Sequence, residues 1–325
     1  LVSMFYHWGI IQKVVGAFAW VLRKFMNISG SEGLVAAGNI FMGMTESPVL
    51  IKNYLPTMNR SEIFLVMVSG MGTIAGSVMG TYIGMLGGTD PAAKVLFATH
   101  LLSASVMAVP GSIVLAKMLC PQTEEATDHV AISGKEKENS NILDAISSGT
   151  VTGVKLMTNI AAMLLVFISL VALANYITEG VIGRYTGLND WIVKITDGKA
   201  QGLTFQFILG VITSPFMWLI GVPSQDIMLV GSLLGQKTIL NEFVAYFQLQ
   251  QWKDAGLFMY EKSILMSTYI LCGFANISSI GILLGGLGVL APEKRGLISR
   301  IGLPAMIGGA LVSVLSATII GMILG

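Results

Sequence analysis

Long stretches without a charged side chain recur along the chain, separated by short polar clusters. Ile63–Thr89, Val95–Ala116, Leu156–Thr178, Ala200–Gln225, Ser263–Pro292 and Ile301–Gly325 contain no Asp, Glu, Lys or Arg. A helix that crosses a bilayer needs about 20 predominantly apolar residues, so each run predicts a spanning segment. Two further stretches are apolar but interrupted. Gly33–Ile51 carries Glu46, and Ile227–Phe247 carries Lys237 and Glu242. Between residues 200 and 250, Gly221-Val222-Pro223-Ser224 predicts a reversal that divides the region into two arms. A hairpin tip at membrane depth leaves non-helical backbone there. Such backbone is tolerated only when buried in protein or lining a wet cavity.

The order of these pieces repeats. A hairpin with Glu46 precedes the runs 63–89 and 95–116, and a hairpin with Glu242 precedes the runs 263–292 and 301–325. Between them lie a polar loop (121–141), an amphipathic stretch (141–155) and the run 156–178. Paired interrupted segments at matching places in two halves are the pattern of a carrier whose site lies near the bilayer midplane. Residues 6–26 alternate apolar side chains with Lys13, Arg23 and Lys24 and predict a helix lying along the interface. The basic loops around Lys52 and Arg60, and around Lys294, Arg295 and Arg300, are candidates for the cytoplasmic side.

Composition points the same way. Of 325 residues, 54% are hydrophobic and 11% charged, against about 25% charged in soluble domains, and the mean hydropathy is +0.75. A soluble domain so poor in charge has too little polar surface to cover itself. A net charge of +1 without a basic cluster argues against nucleic acid as a partner. The two cysteines, Cys120 and Cys272, form neither a disulfide framework nor a ligand spacing. The three histidines are scattered, and His100 reads as a satisfied polar residue within an apolar run. No G-x-x-x-x-G-K-[ST] loop is present, so an ion or proton gradient is the expected driver rather than ATP. No nucleophile–base pair or zinc constellation suggests an enzyme. The chain opens Leu1-Val2-Ser3-Met4 without a signal-peptide pattern, which reads as a start partway through a longer protein.

The chemistry concentrates around the two glutamates. An ionised carboxylate at the bilayer centre is disfavoured by roughly 3 kcal/mol on insertion scales, so it persists where it faces a cavity and binds something. The structural alternative is pairing with a buried cation such as Lys237. Asn39, Thr45 and Ser47 stand around Glu46, with Pro48 following; Gln236, Thr238 and Asn241 stand around Glu242. The small-residue run Gly70–Ser77 suits close helix packing at Gly72 and Gly76 and leaves room for a break near Thr73. Gly273–Ser279 is its counterpart. Asn276 and Ser279, three residues apart, share one helix face and suit a diol such as ribose.

These residues resemble a known family. Gly38-Asn39-Ile40-Phe41-Met42-Gly43-Met44-Thr45-Glu46-Ser47-Pro48 resembles the first re-entrant hairpin of the concentrative nucleoside transporters. Thr73-Ile74-Ala75 and Gly76-Ser77-Val78 are similar to their first broken helix. Gly235-Gln236-Lys237-Thr238 leading to Asn241-Glu242-Phe243-Val244-Ala245-Tyr246 resembles their second hairpin, and Gly273-Phe274-Ala275-Asn276 with Ser278-Ser279 their facing helix. The four motifs occur in family order over essentially the whole chain.

The resemblance implies an all-α polytopic membrane protein with two inverted repeats, each with a re-entrant helical hairpin and a broken transmembrane helix. Residues 1–30 would end a scaffold helix and form an interfacial helix. The first repeat would be 31–119, a cytoplasmic loop, amphipathic helix and scaffold span 120–200, and the second repeat 201–325. Further spanning helices are implied ahead of Leu1. Gly43, Met44, Thr45, Glu46 and Val78 would hold the nucleobase, and Glu242, Phe274, Asn276 and Ser279 the ribose. Na+ as coupling ion would take the Asn39 side chain, the Thr73 hydroxyl and the carbonyls of Met42 and Ile74, all oxygen ligands as a hard cation prefers. No other cofactor is implied. The expected partners are a nucleoside, the lipid bilayer and two further copies in a homotrimer, in the bacterial inner membrane. Many members have Gln where Met44 stands. A thioether packs softly on an apolar face and offers a pyrimidine edge no strong hydrogen bond, so purine nucleosides are the expected preference. Asn39 favours Na+ over protons. The rival readings are a proton-coupled carrier on the same fold, in which Glu46 titrates, and a channel or membrane enzyme.

Overall fold

The computed structural model describes residues 8–26, 28–124, 141–196, 198 and 200–325. Most of the polar loop expected at 121–141 lies outside them, as does the start of the interfacial segment. Among the described residues the secondary structure is helical throughout, with no strand. The described residues fall into two compact units, Leu1–Met157 with Cys272–Ser316, and Thr158–Leu271 with Ala317–Gly325.

In the first unit, α1 (Ile10–Met26) packs on α2 (Gly30–Gly38). A capping box opens α2, in which the Ser29 side chain accepts from Glu32 N and Glu32 accepts from Ser29 N. The chain then doubles back through turns and a short 3-10 helix, Ser47–Ile51. The second arm of this hairpin is therefore one tight turn rather than a full helix, with Pro48 in its first turn, where a missing N–H costs no intrahelical hydrogen bond. A second capping box, Asn59 with Glu62, opens α3 (Arg60–Gly72). α4 (Gly76–Gly87) follows after a three-residue break, and α5 (Pro91–Leu119) starts on an Asp90 cap with Pro91 in its first turn. α12 (Ile277–Leu290) and most of α13 (Arg295–Ile323) complete the unit. Lys294 Nζ donates to Met58 O at 2.8 Å. The two basic loops expected to share a side of the membrane thus sit together.

A buried charge pair ties three helix ends of this unit. Lys117, in the last turn of α5, is ion-paired with Glu32 in the first turn of α2. Its ammonium also donates to Ser61 Oγ at 3.1 Å and to Gln122 Oε1 at 3.0 Å. Each charge sits at the helix end whose dipole favours it.

In the second unit, α6 (Ile142–Asn175, which begins in the first) runs unbroken through both the amphipathic stretch and the following apolar run. The two were expected as separate elements. No Pro lies between Ile142 and Asn175, so no backbone donor is lost there and the helix continues through Gly149 and Gly153. A wide π-helical segment, Tyr176–Gly183, and α7 (Leu188–Ile195) follow. α8 (Phe205–Leu219) and α9 (Ile227–Ile239) form an antiparallel pair joined by the expected Gly221–Ser224 turn. Glycine allows the contact: a Cβ on Gly231 would lie 2.5 Å from Thr213 Oγ1, and one on Gly235 2.6 Å from Leu209 Cβ. α10 (Glu242–Asp254) and α11 (Glu261–Leu271) pack back on α9. Tyr246 OH donates to Thr268 O at 2.8 Å, and Asp226 accepts from Met259 N and Tyr260 N at 3.0 and 3.2 Å.

Among the described residues, three helical segments are long and apolar enough to cross a membrane: Arg60–Gly87 including its break, Pro91–Leu119 and Pro292–Ile323. The charge-free run 263–292 is divided between α11 and α12 at residues 272–276, as the run 63–89 is divided at residues 73–75.

Candidate functional site

The first hairpin's turns rest on the break between α3 and α4. α2 stops at Asn39, and Met42 N donates to Gly38 O at 2.9 Å. Glu46 N and Ser47 N both donate to Gly43 O at 3.0 Å, which curls residues 43–47 into a tight loop. Glu46 Oε2 accepts from Gly43 N at 3.3 Å across it. Gly76 N, at the start of α4, donates to Phe41 O at 3.2 Å. A Cβ on Gly76 would stand 3.0 Å from that same oxygen, so a larger residue would lift the loop off the helix. Met44 lies against Gly70 of α3, and its side chain is buried.

The break itself is an extended residue. Thr73 has φ −119° and ψ 167°, and its hydroxyl donates to Ser69 O at 2.9 Å. Asn39 Nδ2 donates to Ser69 Oγ at 2.9 Å, and Ser47 Oγ donates to Asn39 Oδ1 at 2.6 Å. Asn39, Ser47 and Ser69 are fully buried, and Thr73 nearly so. The break between α11 and α12 meets this one within the same unit. Phe274 N donates to Thr73 O at 3.2 Å. Gly273 makes the crossing possible, because a Cβ there would lie 2.9–3.1 Å from Ser313 Oγ, Met71 O and Gly72 O. Interrupted helices leave backbone carbonyls and N–H groups without intrahelical partners, and here some of those groups pair across the crossing.

The four residues expected to bind Na+ gather on these two elements. Asn39 and Thr73 are joined through Ser69, and Met42 and Ile74 flank the Phe41–Gly76 hydrogen bond. All four are buried. Their donors are neutral oxygens, two from side chains and two from backbone, which fits a hard monovalent cation. Ser69 was missed by sequence reasoning. It lies four residues before Thr73, one helical turn back on the same face, and that spacing was the available signal.

The residues assigned to the base and ribose divide unevenly. Gly43, Met44 and Val78 are buried, whereas Thr45 and Glu46 are exposed. Glu46, expected at membrane depth facing a cavity, stands exposed on the tight Gly43–Ser47 loop, and the buried polar side chains of this junction are Asn39, Ser47, Ser69 and Thr73. Thr45 approaches α12, where a Cβ on Gly286 would be 3.3 Å from Thr45 Cγ2. Phe274 is half-buried, Asn276 and Ser279 buried. Asn276 and Ser279 are neighbours, though not as two residues on a helix face. Asn276 is the N-cap of α12, and its Oδ1 accepts from Ser279 N at 2.9 Å, Ser279 Oγ at 3.0 Å and Ser278 Oγ at 2.7 Å.

Glu242 belongs to the other unit. The reversal expected at Gly221–Ser224 is present, but Glu242 follows a second break at Leu240–Asn241. Asn241 is extended (φ −166°, ψ 169°) and caps α10 by accepting from Val244 N at 2.9 Å. Glu242 opens that helix, buried to 7% exposure, where the dipole favours a carboxylate. Lys237, in the last turn of α9 and fully buried, donates to Ile270 O at 2.8 Å near the end of α11. A buried cation and a buried carboxylate thus flank this break.

Comparison with known proteins follows the same lines. A family profile described as "Na+ dependent nucleoside transporter C-terminus" matches residues 100–321, and one described as "Nucleoside recognition" matches residues 1–89. An uncharacterized transporter of Haemophilus influenzae is 39% identical over 100% of this chain and 73% of its own length. Rat sodium/nucleoside cotransporter 1 is 38% identical over 99% of this chain, which spans about half, 49%, of that longer protein. The solved structure of CNTnw in an inward-facing substrate-bound state superposes with a TM-score of 0.85 at 35% identity, over 99% of this chain and 72% of that one. These relatives are membrane transporters and not enzymes. On the profile match over residues 100–321 and on these identities, the chain belongs to the concentrative, Na+-dependent nucleoside transporter family.

Proposed function

We propose that this chain carries nucleosides across the membrane in symport with Na+, with purine nucleosides preferred. The observation that carries the reading is the hydrogen-bonded junction of the first hairpin with the break at Thr73. There Asn39, Ser69 and Thr73 form one buried cluster, and the Gly43–Glu46 loop begins four residues further along the chain. The Asn39 amide oxygen, the Thr73 hydroxyl and the Met42 and Ile74 carbonyls take the cation. A cation shared by the two elements holds the loop on the break and so shapes the surface that Gly43, Met44, Thr45, Glu46 and Val78 offer to a base. Phe274, Asn276, Ser279 and Glu242 hold the ribose, the carboxylate accepting from its hydroxyls. Ion and nucleoside affinities are then linked through one loop, and each raises the other by the same factor.

The two halves, 31–119 and 201–325, act in this reading as inverted repeats with re-entrant hairpins, separated by residues 120–200. The loaded part moves against a scaffold in a homotrimer within the bacterial inner membrane. The test is uptake of labelled inosine and uridine at fixed pH, with Na+ replaced stepwise by choline. Uptake that rises and saturates with Na+ is expected. Uptake indifferent to Na+ but dependent on a pH gradient would transfer the coupling to protons.

Met44 gives the second test. Met44→Gln restores a donor and acceptor beside the base, worth roughly 1 kcal/mol net. The ratio of uridine to inosine uptake is expected to rise about fivefold. An unchanged ratio would remove Met44 from base selection.

A further inference from the structure

We infer that Ser69, supported by Ser47, is a positioning residue for the cation, setting which face of the Asn39 amide is presented to it. This rests on the Na+ reading above and extends it to residues that touch no ion. Ser69 Oγ donates its single proton to Val66 O at 3.2 Å. Its oxygen can then only accept, and it accepts from Asn39 Nδ2 at 2.9 Å. That orients the amide: nitrogen toward α3, oxygen away from it. Ser47 Oγ donates to that oxygen at 2.6 Å, which holds the same orientation from the hairpin side. A carbonyl oxygen has two lone pairs, so one remains for a cation. The Ser69 carbonyl in turn accepts from Thr73 Oγ1 at 2.9 Å, which spends the Thr73 proton on the helix and leaves that hydroxyl's lone pairs for the same ion. One residue therefore directs both side-chain ligands, through its hydroxyl and through its backbone.

Without Ser69 Oγ the amide loses the acceptor that fixes its orientation, and a flipped amide presents N–H to the cation. Groups that orient ligands in this way typically alter ion affinity by 10–100-fold when removed. The experiment is a thermal-unfolding titration of the purified protein with NaCl against choline chloride at constant ionic strength, without nucleoside, since an ion bound only by the folded state raises the midpoint. For Ser69→Ala the Na+ concentration giving half the maximal midpoint shift is expected to rise at least about tenfold, with the midpoint in choline close to the parent's. Ser69→Thr, which keeps the hydroxyl, is expected to titrate near the parent. Ser47→Ala is expected to weaken Na+ by a smaller factor, and it decides the matter if Ser69→Ala does not fold. Parent-like Na+ titration of Ser69→Ala, or of Ser47→Ala in its place, overturns the inference and leaves the cation site standing. A parent protein whose midpoint ignores Na+ removes the cation site and the inference with it.

Discussion

Glu242→Gln is expected to reduce nucleoside uptake by about 100-fold while the protein still folds and inserts. The substitution keeps shape and volume and removes one charge. Glu242 stands in the first turn of α10 behind an Asn241 cap that does not use its side chain, so the helix start survives. Exchange of the carboxylate for an amide of the same shape leaves the Asn241 cap, and with it the start of α10, in place. The loss falls instead on the ribose hydroxyls. Hydrogen bonds to an ionised acceptor contribute roughly 1.5–3 kcal/mol each, and two of them account for a hundredfold change at about 1.4 kcal/mol per factor of ten. Uptake by proteoliposomes with matched protein content measures this. Near-normal uptake would take the ribose role away from Glu242.

Lys117→Met is expected to destabilise the protein by about 3 kcal/mol, seen as a lower thermal midpoint in detergent. Removal of one partner of a buried pair leaves the other charge uncompensated, at roughly 3–5 kcal/mol. The lower end applies because the Lys117 side chain keeps 23% exposure while Glu32 has 1%. Glu32 still accepts from Ser29 N at 2.9 Å after the change, so part of its solvation by protein remains. Its neutralisation should then recover stability: Glu32→Gln with Lys117→Met is expected to melt above Lys117→Met alone. Equal midpoints for the parent and Lys117→Met would mean the pair contributes nothing to holding the ends of α2, α3 and α5 together.

Much of this architecture was legible in the order of charge-free runs, because lipid-facing helices need continuous apolar sequence whatever their tertiary contacts. Room for a break near Thr73 was legible through the small residues of Gly70–Ser77. Positions of polar atoms were not. Glu46 stands out in the sequence as the one carboxylate of an otherwise uncharged stretch, yet its exposed place on the loop is set by the Gly43–Ser47 hydrogen bonds, which the sequence does not report. Asn276 and Ser279 read as two rungs of a helix, yet a cap brings them together. In both cases local hydrogen bonding to the backbone overrode periodicity. The charge pair Glu32–Lys117 was invisible for a different reason: its partners lie 85 positions apart, and no local pattern reports so distant a contact.

The linkage between ion and nucleoside is tested most directly by equilibrium binding of inosine to the purified protein at a series of Na+ concentrations, and of Na+ at a series of inosine concentrations. The junction of hairpin and helix break predicts that saturating Na+ tightens inosine by some factor and that saturating inosine tightens Na+ by the same one. Identical inosine affinity in Na+ and in choline would contradict it.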